Sequence, residues 1–451
     1  MNWLTKQARK KGKQRFLNHL SFAEVENLVQ ERAGRLYPYV KDETRVALYA
    51  RNSVETVLFF LALQGLQKEV FMINIRLTED EIRRKLTNLK IGVVFSEDQT
   101  FISFQDVLNQ PLERQDEGRG GYAPEQIAVI MDTSATHGVA KSVPLRWRNL
   151  EAHVRASQQV LGVREEDNWL LVLPLYHIGG LAIVLRSLYN GTAVTLTAGF
   201  DEEETLKLIE EEKVNLLSLV PTMLHRILDR IRGHSLRAVL VSGEFIPEAL
   251  VAASLRKGIP IYKSYGMTET ASQATTFCVS EHPMKLKSVG YPLPGIKVHI
   301  HNPDREEVGE IILRGPMVMD GYLSEEPIQE FLHTQDIGYL DEDGYLFILD
   351  RRDNIIISGG ENIYPQEIEN ILYAHPAVSE CAIVAMKDKK WGQVPALFIV
   401  SALEDEEIRN YLSARIARYK HPKKILHLRE LPKNSTGKLL KKALGEMVNE
   451  D

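Results

Sequence analysis

The organisation of this chain follows from one segment, Ile355-Ile356-Ile357-Ser358-Gly359-Gly360-Glu361-Asn362-Ile363-Tyr364-Pro365. Its isoleucine triplet predicts a buried strand, because β-branched apolar residues favour strands. The paired glycines predict a tight turn, and Pro365 suits the first position of a helix. The charged run Asp350-Arg351-Arg352-Asp353 stands directly before the strand. These features indicate either an ordinary strand–turn–helix unit in a core or a junction where two domains meet over a ligand.

Length and composition limit the classes of protein that this chain can belong to. With 451 residues it is long enough for two to four domains, at about 100–200 residues per domain. Its 44% hydrophobic and 26% charged residues are typical of a soluble globular protein. The net charge of −6 argues against nucleic-acid binding, because phosphate contacts need clustered Lys and Arg.

Cysteine usage and hydropathy predict a cytoplasmic protein. Cys278 and Cys381 are far apart in sequence, which favours neither a disulfide framework nor a zinc site. The basic residues at 6–15 lack the apolar core and cleavage site of a secretory signal. The apolar run 169–189 is interrupted by proline, glycine, histidine and arginine, so we expect no membrane insertion. Whether the chain forms a homo-oligomer stays open.

Strands alternate with helical segments along most of the chain. Short apolar runs at 45–49, 70–73 and 127–131 are each followed by a helical or polar segment, which predicts βαβ units and a largely parallel sheet. From about residue 285, glycine-punctuated short runs predict a β-rich subdomain. Residues 354–451 predict a small α+β unit. We therefore expect an α/β fold with a large domain at 1–350, its β-rich part at about 285–350, and a smaller domain at 354–451.

Small polar residues follow the strand at 127–131. They include Thr133, Ser134, Thr136 and Lys141. Backbone N–H groups and hydroxyls in such a turn hold phosphate oxygens, and a lysine neutralises their charge. The segment lacks the spacing of the usual P-loop. A phosphate site and a simple Ser/Thr-rich turn are both consistent with it.

Three further candidates are His177, Glu269 and Asp336. The first is a candidate because it lies at the carboxyl end of a predicted strand, where α/β sheets bind ligands. His177 follows the strand at 169–174, although a lone histidine there is more often structural. Glu269 follows the strand at 259–265 and is either part of a helix cap or a ligand for magnesium, with Thr268 beside a phosphate. Asp336 is a candidate acceptor for ribose hydroxyls.

These motifs occur in an order that resembles the adenylate-forming superfamily of acyl-CoA synthetases, adenylation domains and luciferases. The order runs from the phosphate-type turn through Tyr176-His177, the run 265–269, Asp336 and the run 350–353 to the Ser-Gly-Gly-Glu-Asn-Ile-Tyr-Pro run and Lys438. The resemblance covers almost the whole chain. Within the superfamily, four segments are most similar to the o-succinylbenzoate–CoA ligases of menaquinone biosynthesis, namely 174–181, 264–273, 388–392 and 434–440.

The resemblance implies an AMP-forming ligase that uses ATP, Mg²⁺ and coenzyme A, with o-succinylbenzoate as the acid. It assigns the β- and γ-phosphates to Thr133, Ser134, Thr136 and Lys141. It assigns the α-phosphate to Thr268, Mg²⁺ to Glu269 and the ribose to Asp336 and Arg351. The remaining ATP-binding residues that it implies are Gly243, Glu244, Tyr265, Gly266 and Met267.

Other implied roles concern the second half-reaction and the acid. Lys438 bridges the carboxylate and the α-phosphate, and the small domain then rotates about a hinge at 351–353, centred on Asp353. Ser358, Gly359 and Gly360 would line the thiol tunnel. Tyr176 and His177 would shape the acyl pocket.

For the second carboxylate of the acid we select Arg186, which is either its cationic partner or an ordinary arginine on a helix surface. The sequence also departs from the family pattern. Ala135 and His137 replace a glycine and a threonine of the phosphate loop. Gln335 replaces the glycine of the usual Thr-Gly-Asp motif. We expect an active enzyme whose KM for ATP is ordinary or raised. A ligase for another acid and a non-catalytic nucleotide-binding homologue remain the alternatives.

Overall fold

The computed structural model describes residues 2–112, 121–133, 141–211, 213–323, 325–433 and 439–449. Its strands, in chain order, are β1 (Arg15–Leu17), β2 (Leu20–Ser21), β3 (Arg45–Tyr49), β4 (Glu69–Met72), β5 (Val94–Ser96), β6 (Ile102–Ser103), β7 (Ile127–Asp132), β8 (Ser142–Arg146), β9 (Asn168–Leu171), β10 (Ala193–Leu196), β11 (Leu216–Leu219), β12 (Ala238–Val241), β13 (Ile261–Met267), β14 (Ser272–Cys278), β15 (Tyr291–Pro292), β16 (Lys297–His301), β17 (Gly309–Arg314), β18 (Leu332–Leu340), β19 (Leu346–Arg351), β20 (Ile356–Ser358), β21 (Glu361–Ile363), β22 (Val378–Asp388), β23 (Gly392–Ser401) and β24 (Lys424–His427).

The helices surround these strands. In chain order they are α1 (Trp3–Lys11), α2 (Phe22–Val40), α3 (Val54–Gly65), α4 (Glu79–Leu89), α5 (Phe104–Leu108), α6 (Trp147–Leu161), α7 (Ile178–Asn190), α8 (Glu202–Glu210), α9 (Pro221–Leu228), α10 (Glu248–Arg256), α11 (Pro365–Tyr373), α12 (Asp405–Ser413) and α13 (Lys441–Asn449). Short 3₁₀ helices occur at Thr268–Thr270, Pro283–Lys285, Arg352–Asn354 and Arg418–Lys420.

The strands form four sheets in the described part of the chain. The first runs β15-β14-β13-β12-β11-β9-β10-β1-β2, and its central strands from β13 to β10 are parallel. The second runs β6-β5-β3-β4-β7-β8 and is parallel except at β7–β8. The third, β16-β17-β18-β19, is antiparallel. These observations confirm the predicted α/β fold with largely parallel sheets and a β-rich part.

The residues after 354 build a fourth sheet with its own core. Alternate residues of β22 face opposite sides of this sheet, as the two-residue period of a strand requires. Cys381 and Ile383 pack in the cluster that contains α11 and α12, whereas Ala382 and Val384 pack in the cluster that contains α13. The domain limits themselves, including the hinge at 351–353, stay predictions.

Two local expectations are wrong. Ile356 is buried, but Ile357 is 57% exposed, because its short strand turns one face to solvent. The paired glycines connect β20 to β21 in an antiparallel hairpin, and α11 starts only after β21.

Among the described residues, no helix is both long enough and apolar enough to span a bilayer.

Candidate active site

A cavity of about 1910 Å³ lies at the carboxyl ends of β11, β12 and β13. Residues from the loops after these strands line it, together with the start of α7 and residues of the C-terminal region. This is the edge at which α/β sheets bind ligands. Its volume exceeds the roughly 300–1,000 Å³ of a typical small-molecule site, so it has room for more than one substrate.

Tyr265, Asp336 and Arg351 form one cluster at the cavity, named here the Asp336 cluster. The Tyr265 hydroxyl donates to Asp336 Oδ2 at 2.6 Å, and Arg351 Nε lies 3.2 Å from Asp336 Oδ1. Asp336 and Arg351 are directly opposite each other in the β18–β19 ladder, which fixes the pair. Burial, and then the Asp336 charge, raise the pKa of Tyr265 well above its ordinary value, so the phenol stays a donor. The structure thus brings together three residues that the sequence selected for the nucleotide.

Glu269 lies in the short helix Thr268–Thr270, directly after β13, and both Thr268 and Glu269 line the cavity. Its Oε1 accepts a hydrogen bond from the Tyr322 hydroxyl at 2.8 Å. Burial, and then the Glu269 charge, raise the pKa of Tyr322. Among the described residues, no group of three or more His, Cys, Asp or Glu is arranged to hold a metal. A single carboxylate at the cavity fits Mg²⁺, which commonly takes one or two carboxylates and completes its shell with phosphate oxygens and water.

The described ends of the predicted phosphate turn are joined to each other. Thr133 N donates to Lys141 O at 2.9 Å, and Lys141 N donates to Thr133 Oγ1 at 3.2 Å. The Lys141 ammonium lies 3.0 Å from Glu325 and 4.5 Å from the centre of the Tyr322 ring. Ser134 and Thr136, like Ala135 and His137, lie outside the described residues.

Gly266 is required by a close backbone approach between β13 and β14. A Cβ at this position would lie 1.7 Å from Ser272 O, at the point where the register of the two strands shifts. The shift positions Met267 and Thr268 at the end of β13, on the cavity wall. On the neighbouring strand, Gly243 and Glu244 follow β12 and also line the cavity. Glu244 Oε1 accepts from the backbone N–H of Leu439 at 2.6 Å, which joins this loop to the C-terminal region.

At the other side of the cavity, His177 directly precedes α7 and follows the buried Tyr176. The centres of the two rings are 4.8 Å apart. Burial, and then the positive charge of Arg76, lower the pKa of His177 to about 4. His177 is therefore a neutral imidazole at physiological pH.

Arg186 is 2% exposed, so it is not an arginine on a helix surface. Its Nη2 donates to Gln273 Oε1 at 2.8 Å, and its guanidinium lies 5.5 Å from the Trp169 ring. Within the described part of the chain, its Nε and Nη1 have no hydrogen-bond partner. Burial lowers the pKa of Arg186, but a guanidinium stays charged at neutral pH. Such a cation is costly unless an anion compensates it.

Gln273 is a site residue that the sequence analysis missed. Its Oε1 also accepts from Ser157 Oγ at 2.8 Å, and its Nε2 donates to Thr276 Oγ1 at 2.7 Å. Gln273 and Ser272 line the cavity and separate it from Arg186. We name Ser157, Arg186, Ser272 and Gln273 the Arg186 cluster. A neutral glutamine within a strand is not recognisable from sequence as a residue of a binding site. Gln273 is nevertheless the last residue of 264–273, one of the segments that carry the resemblance.

Only some of the candidates from the C-terminal region lie at the cavity. Among the described residues that line the cavity, Ser358, Gly359 and Gly360 do not occur, whereas Asp353, Leu439 and Lys441 do. Gly359 has φ +61°, and a Cβ there would lie 2.7 Å from the Trp391 ring. Lys438 lies outside the described residues.

Comparison with known proteins shows the family of this chain. The sequence profile described as AMP-binding enzyme matches residues 4–323, and that of the AMP-binding enzyme C-terminal domain matches residues 367–438. The chain belongs to the AMP-binding enzyme family. The 2-succinylbenzoate–CoA ligase of Lactococcus lactis is 45% identical to it over 98% of this chain and 100% of that protein.

Solved structures of one relative differ in how closely they match this chain. The o-succinylbenzoate CoA synthetase of Bacillus subtilis is 32% identical, and 98% of this chain is covered in each comparison. The TM-score is 0.91 for its complex with the acyl-adenylate intermediate OSB-AMP, over 97% of that chain. It is 0.92 for the complex with ATP and magnesium, over 99% of that chain. It is 0.75 for a double mutant bound to the product analogue OSB-NCoA, over 97% of that chain.

Proposed function

We propose that this chain is an AMP-forming 2-succinylbenzoate–CoA ligase. It transfers the adenylyl group of ATP to one carboxylate of the acid and releases pyrophosphate. The thiol of coenzyme A then displaces AMP and forms the thioester. The first reaction makes the acid reactive, because AMP is a far better leaving group than oxide.

Similarity over the full length to enzymes of this name supports the proposal, and one feature of the site supports the choice of acid. 2-Succinylbenzoate has two carboxylates, of which one reacts and the other stays ionised. Arg186 has two nitrogens without a partner among the described residues, and its buried positive charge favours an anion in the adjoining part of the cavity. Ser272 and Gln273, which separate Arg186 from the cavity, are the side chains beside which such a carboxylate would bind.

In the adenylating step, charge and geometry have to be controlled together, because two anions approach each other. Asp336 is held by Tyr265 and Arg351 in a position where its carboxylate can accept from ribose hydroxyls. Glu269, fixed by Tyr322, is the residue that would hold Mg²⁺. When bound there, Mg²⁺ neutralises phosphate charge. Lys438 would stabilise the charge that develops between the carboxylate and the α-phosphate.

The thioester-forming step needs a different arrangement of the C-terminal region. In the present orientation, Leu439 lies at the cavity, next in sequence to Lys438. The hairpin turn at 358–360 is not among the described residues that line it. Rotation about 351–353 would remove Lys438 and bring the small glycine face of this turn to the cavity, where absent side chains leave room for the thiol arm.

ATP–pyrophosphate exchange tests the proposed acid. We would compare 2-succinylbenzoate with benzoate, a fatty acid, an amino acid and 3-benzoylpropionate, which keeps the succinyl chain but lacks the ring carboxylate. We expect exchange with 2-succinylbenzoate and at least about 100-fold lower kcat/KM with 3-benzoylpropionate, since a buried charge would lose its partner. Faster exchange with another acid would show a different specificity. No exchange with any carboxylic acid would support the non-catalytic alternative.

The compartment follows from the same chemistry. We propose a cytoplasmic location, because ATP and coenzyme A are cytoplasmic substrates and both cysteines are buried free thiols. Fractionation of cells that express a tagged chain would test this location. Sedimentation of the purified protein would test whether it forms the homo-oligomer that the sequence leaves open.

A further inference from the structure

The loop after β12 and the start of α10 contact the C-terminal region at two points. At the first, Glu244 Oε1 accepts from the N–H of Leu439 at 2.6 Å. At the second, the side chain of Asn370 on α11 binds Glu248 in both directions. Asn370 Oδ1 accepts from the N–H of Glu248 at 3.2 Å, and Asn370 Nδ2 donates to Glu248 Oε1.

The second contact completes the first turn of α10. The initial N–H groups of a helix have no acceptor within the helix and are normally satisfied by a capping side chain. The residue before α10 is Pro247, which has no side-chain acceptor. Asn370 therefore acts as a cap that comes from the C-terminal region, and its amide group also fixes the Glu248 carboxylate.

These contacts are linked to the described residues on either side of 434–438. Leu439 pairs with Lys433 in an antiparallel bridge, and Leu440 N donates to Pro432 O at 2.9 Å. The described residues on the two sides of 434–438 are thus joined at their base. A shift of the C-terminal region that breaks the Asn370–Glu248 pair would also move this base away from Glu244.

The orientation in which the pair forms is the one that resembles the ATP–magnesium complex of the Bacillus subtilis relative. The TM-score is 0.92 for that complex and 0.75 for the complex with the product analogue, at the same 32% identity. The pair is thus present in an arrangement closer to the first complex than to the second.

We infer that Asn370 and Glu248 are positioning residues for the adenylating half-reaction, an inference that rests on the proposed two-step function. The pair holds the C-terminal region so that Leu439, next in sequence to Lys438, stays at the cavity. It has no part in thioester formation from an acyl-adenylate that is already made. The two half-reactions should therefore respond differently when the pair is broken.

Asn370→Asp is the decisive variant, because it keeps the shape and the acceptor but turns the donor into a carboxylate facing Glu248. We expect kcat for pyrophosphate release to fall about tenfold, the effect of losing a charge-assisted hydrogen bond, while the KM for ATP stays unchanged. Thioester formation from preformed acyl-adenylate and coenzyme A should stay within about twofold of the wild-type rate.

Asn370→Asp combined with Glu248→Gln restores a donor opposite an acceptor and should recover most of the lost adenylation rate. Asn410→Asp makes the same chemical change on the exposed surface of α12 and should alter neither half-reaction. An equal loss in both half-reactions, no loss in either, or failure of the double variant to recover would each overturn the inference.

Hydrogen–deuterium exchange tests the contact without any substrate. Asn370→Asp should raise the rate of amide exchange about tenfold at residues 248–250 and 439–440, compared with Asn410→Asp. Unchanged uptake there would overturn the positioning role. If the wild-type chain activates an acid other than 2-succinylbenzoate, the proposed specificity fails, whereas this measurement still decides whether the pair holds the C-terminal region.

Discussion

In the Asp336 cluster, a buried carboxylate has both a phenol and a guanidinium of the same protein as partners. In the Arg186 cluster, a buried guanidinium contacts neutral groups, and two of its nitrogens have no partner among the described residues. The first arrangement is complete before any substrate binds. In the second, the hydrogen-bond partners of Arg186 among the described residues are neutral. This difference supports our proposal that the nucleotide binds to a preformed surface, whereas selection of the acid depends on an uncompensated cation.

The largest effect should come from Arg186→Met, which replaces the cation with an apolar side chain of similar length. We expect kcat/KM for 2-succinylbenzoate to fall by about 100-fold or more, with a much smaller change for 3-benzoylpropionate. The free energy of unfolding without substrate should rise by about 1–4 kcal/mol, because an uncompensated buried charge is removed. Exchange assays and urea titrations measure the two effects.

Arg155→Met serves as the matched control, since this side chain is 61% exposed and pairs with Glu151. It should change the free energy of unfolding by less than about 1 kcal/mol. It should leave kcat/KM for 2-succinylbenzoate unchanged. Unchanged acid selectivity in Arg186→Met would contradict the contrast between the two clusters.

The stability of the protein should also depend on pH through His177. His177 has a pKa of about 4 in the folded protein, below its ordinary 6.5, so the unfolded chain binds more protons between these values. Stability should therefore fall as the pH decreases from 6.5 to 4, and His177 accounts for a loss of about 3 kcal/mol. His177→Gln should remove this part of the pH dependence in melting curves.

His19→Gln changes an exposed histidine and should leave the pH dependence as it is in the wild type. Parallel curves for the wild type and His177→Gln over pH 4–6.5 would show that His177 is not held neutral by its surroundings.

A smaller effect is expected in the Asp336 cluster from Tyr265→Phe, which removes the donor to Asp336. The free energy of unfolding should fall by about 1–3 kcal/mol, the cost of a buried group that loses a hydrogen bond. The KM for ATP should rise about tenfold while acid selectivity stays constant. Tyr291→Phe, at an exposed tyrosine, provides the comparison. A change in acid selectivity would mean that the two clusters are not independent.

The smallest effect concerns Gln335, which replaces the usual glycine of the motif and has φ +64°. Gln335→Gly should stabilise the fold by about 0.5–1 kcal/mol, because an L side chain is strained in this left-handed conformation. Gln335→Ala keeps the strain and should give no gain. Equal melting temperatures for the two variants would remove strain as the reason for the departure from the motif.

Part of the site was predictable from the strands. Tyr265 and Glu269 lie at the carboxyl end of β13, the edge at which a parallel sheet binds ligands. Asp336 and Arg351 lie in the antiparallel sheet instead, and only the resemblance to the family selected them. Gln273 and Tyr322 were not predictable in this way, because neither carries a charge or belongs to a recognisable turn. Their importance comes from contacts with Arg186 and Glu269, which lie 87 and 53 positions away in the sequence.

The isoleucine triplet shows the same limit at the level of local structure. Its composition predicted a strand, and Ile356–Ser358 is one. Which of its residues are buried depended on the neighbouring strands and on the solvent, so Ile357 is exposed against expectation.

Strand periodicity and turn chemistry, which are local properties, indicated the α/β fold. Through its resemblance to a known family, the order of motifs along the chain indicated the family and the candidate site residues. Only the tertiary structure decided which of those residues are compensated. It pairs Asp336 within the protein, buries Arg186 with two nitrogens free of described partners, and caps α10 from another part of the chain. The reason is that burial and electrostatic compensation depend on groups that are distant in sequence, and only folding brings such groups together.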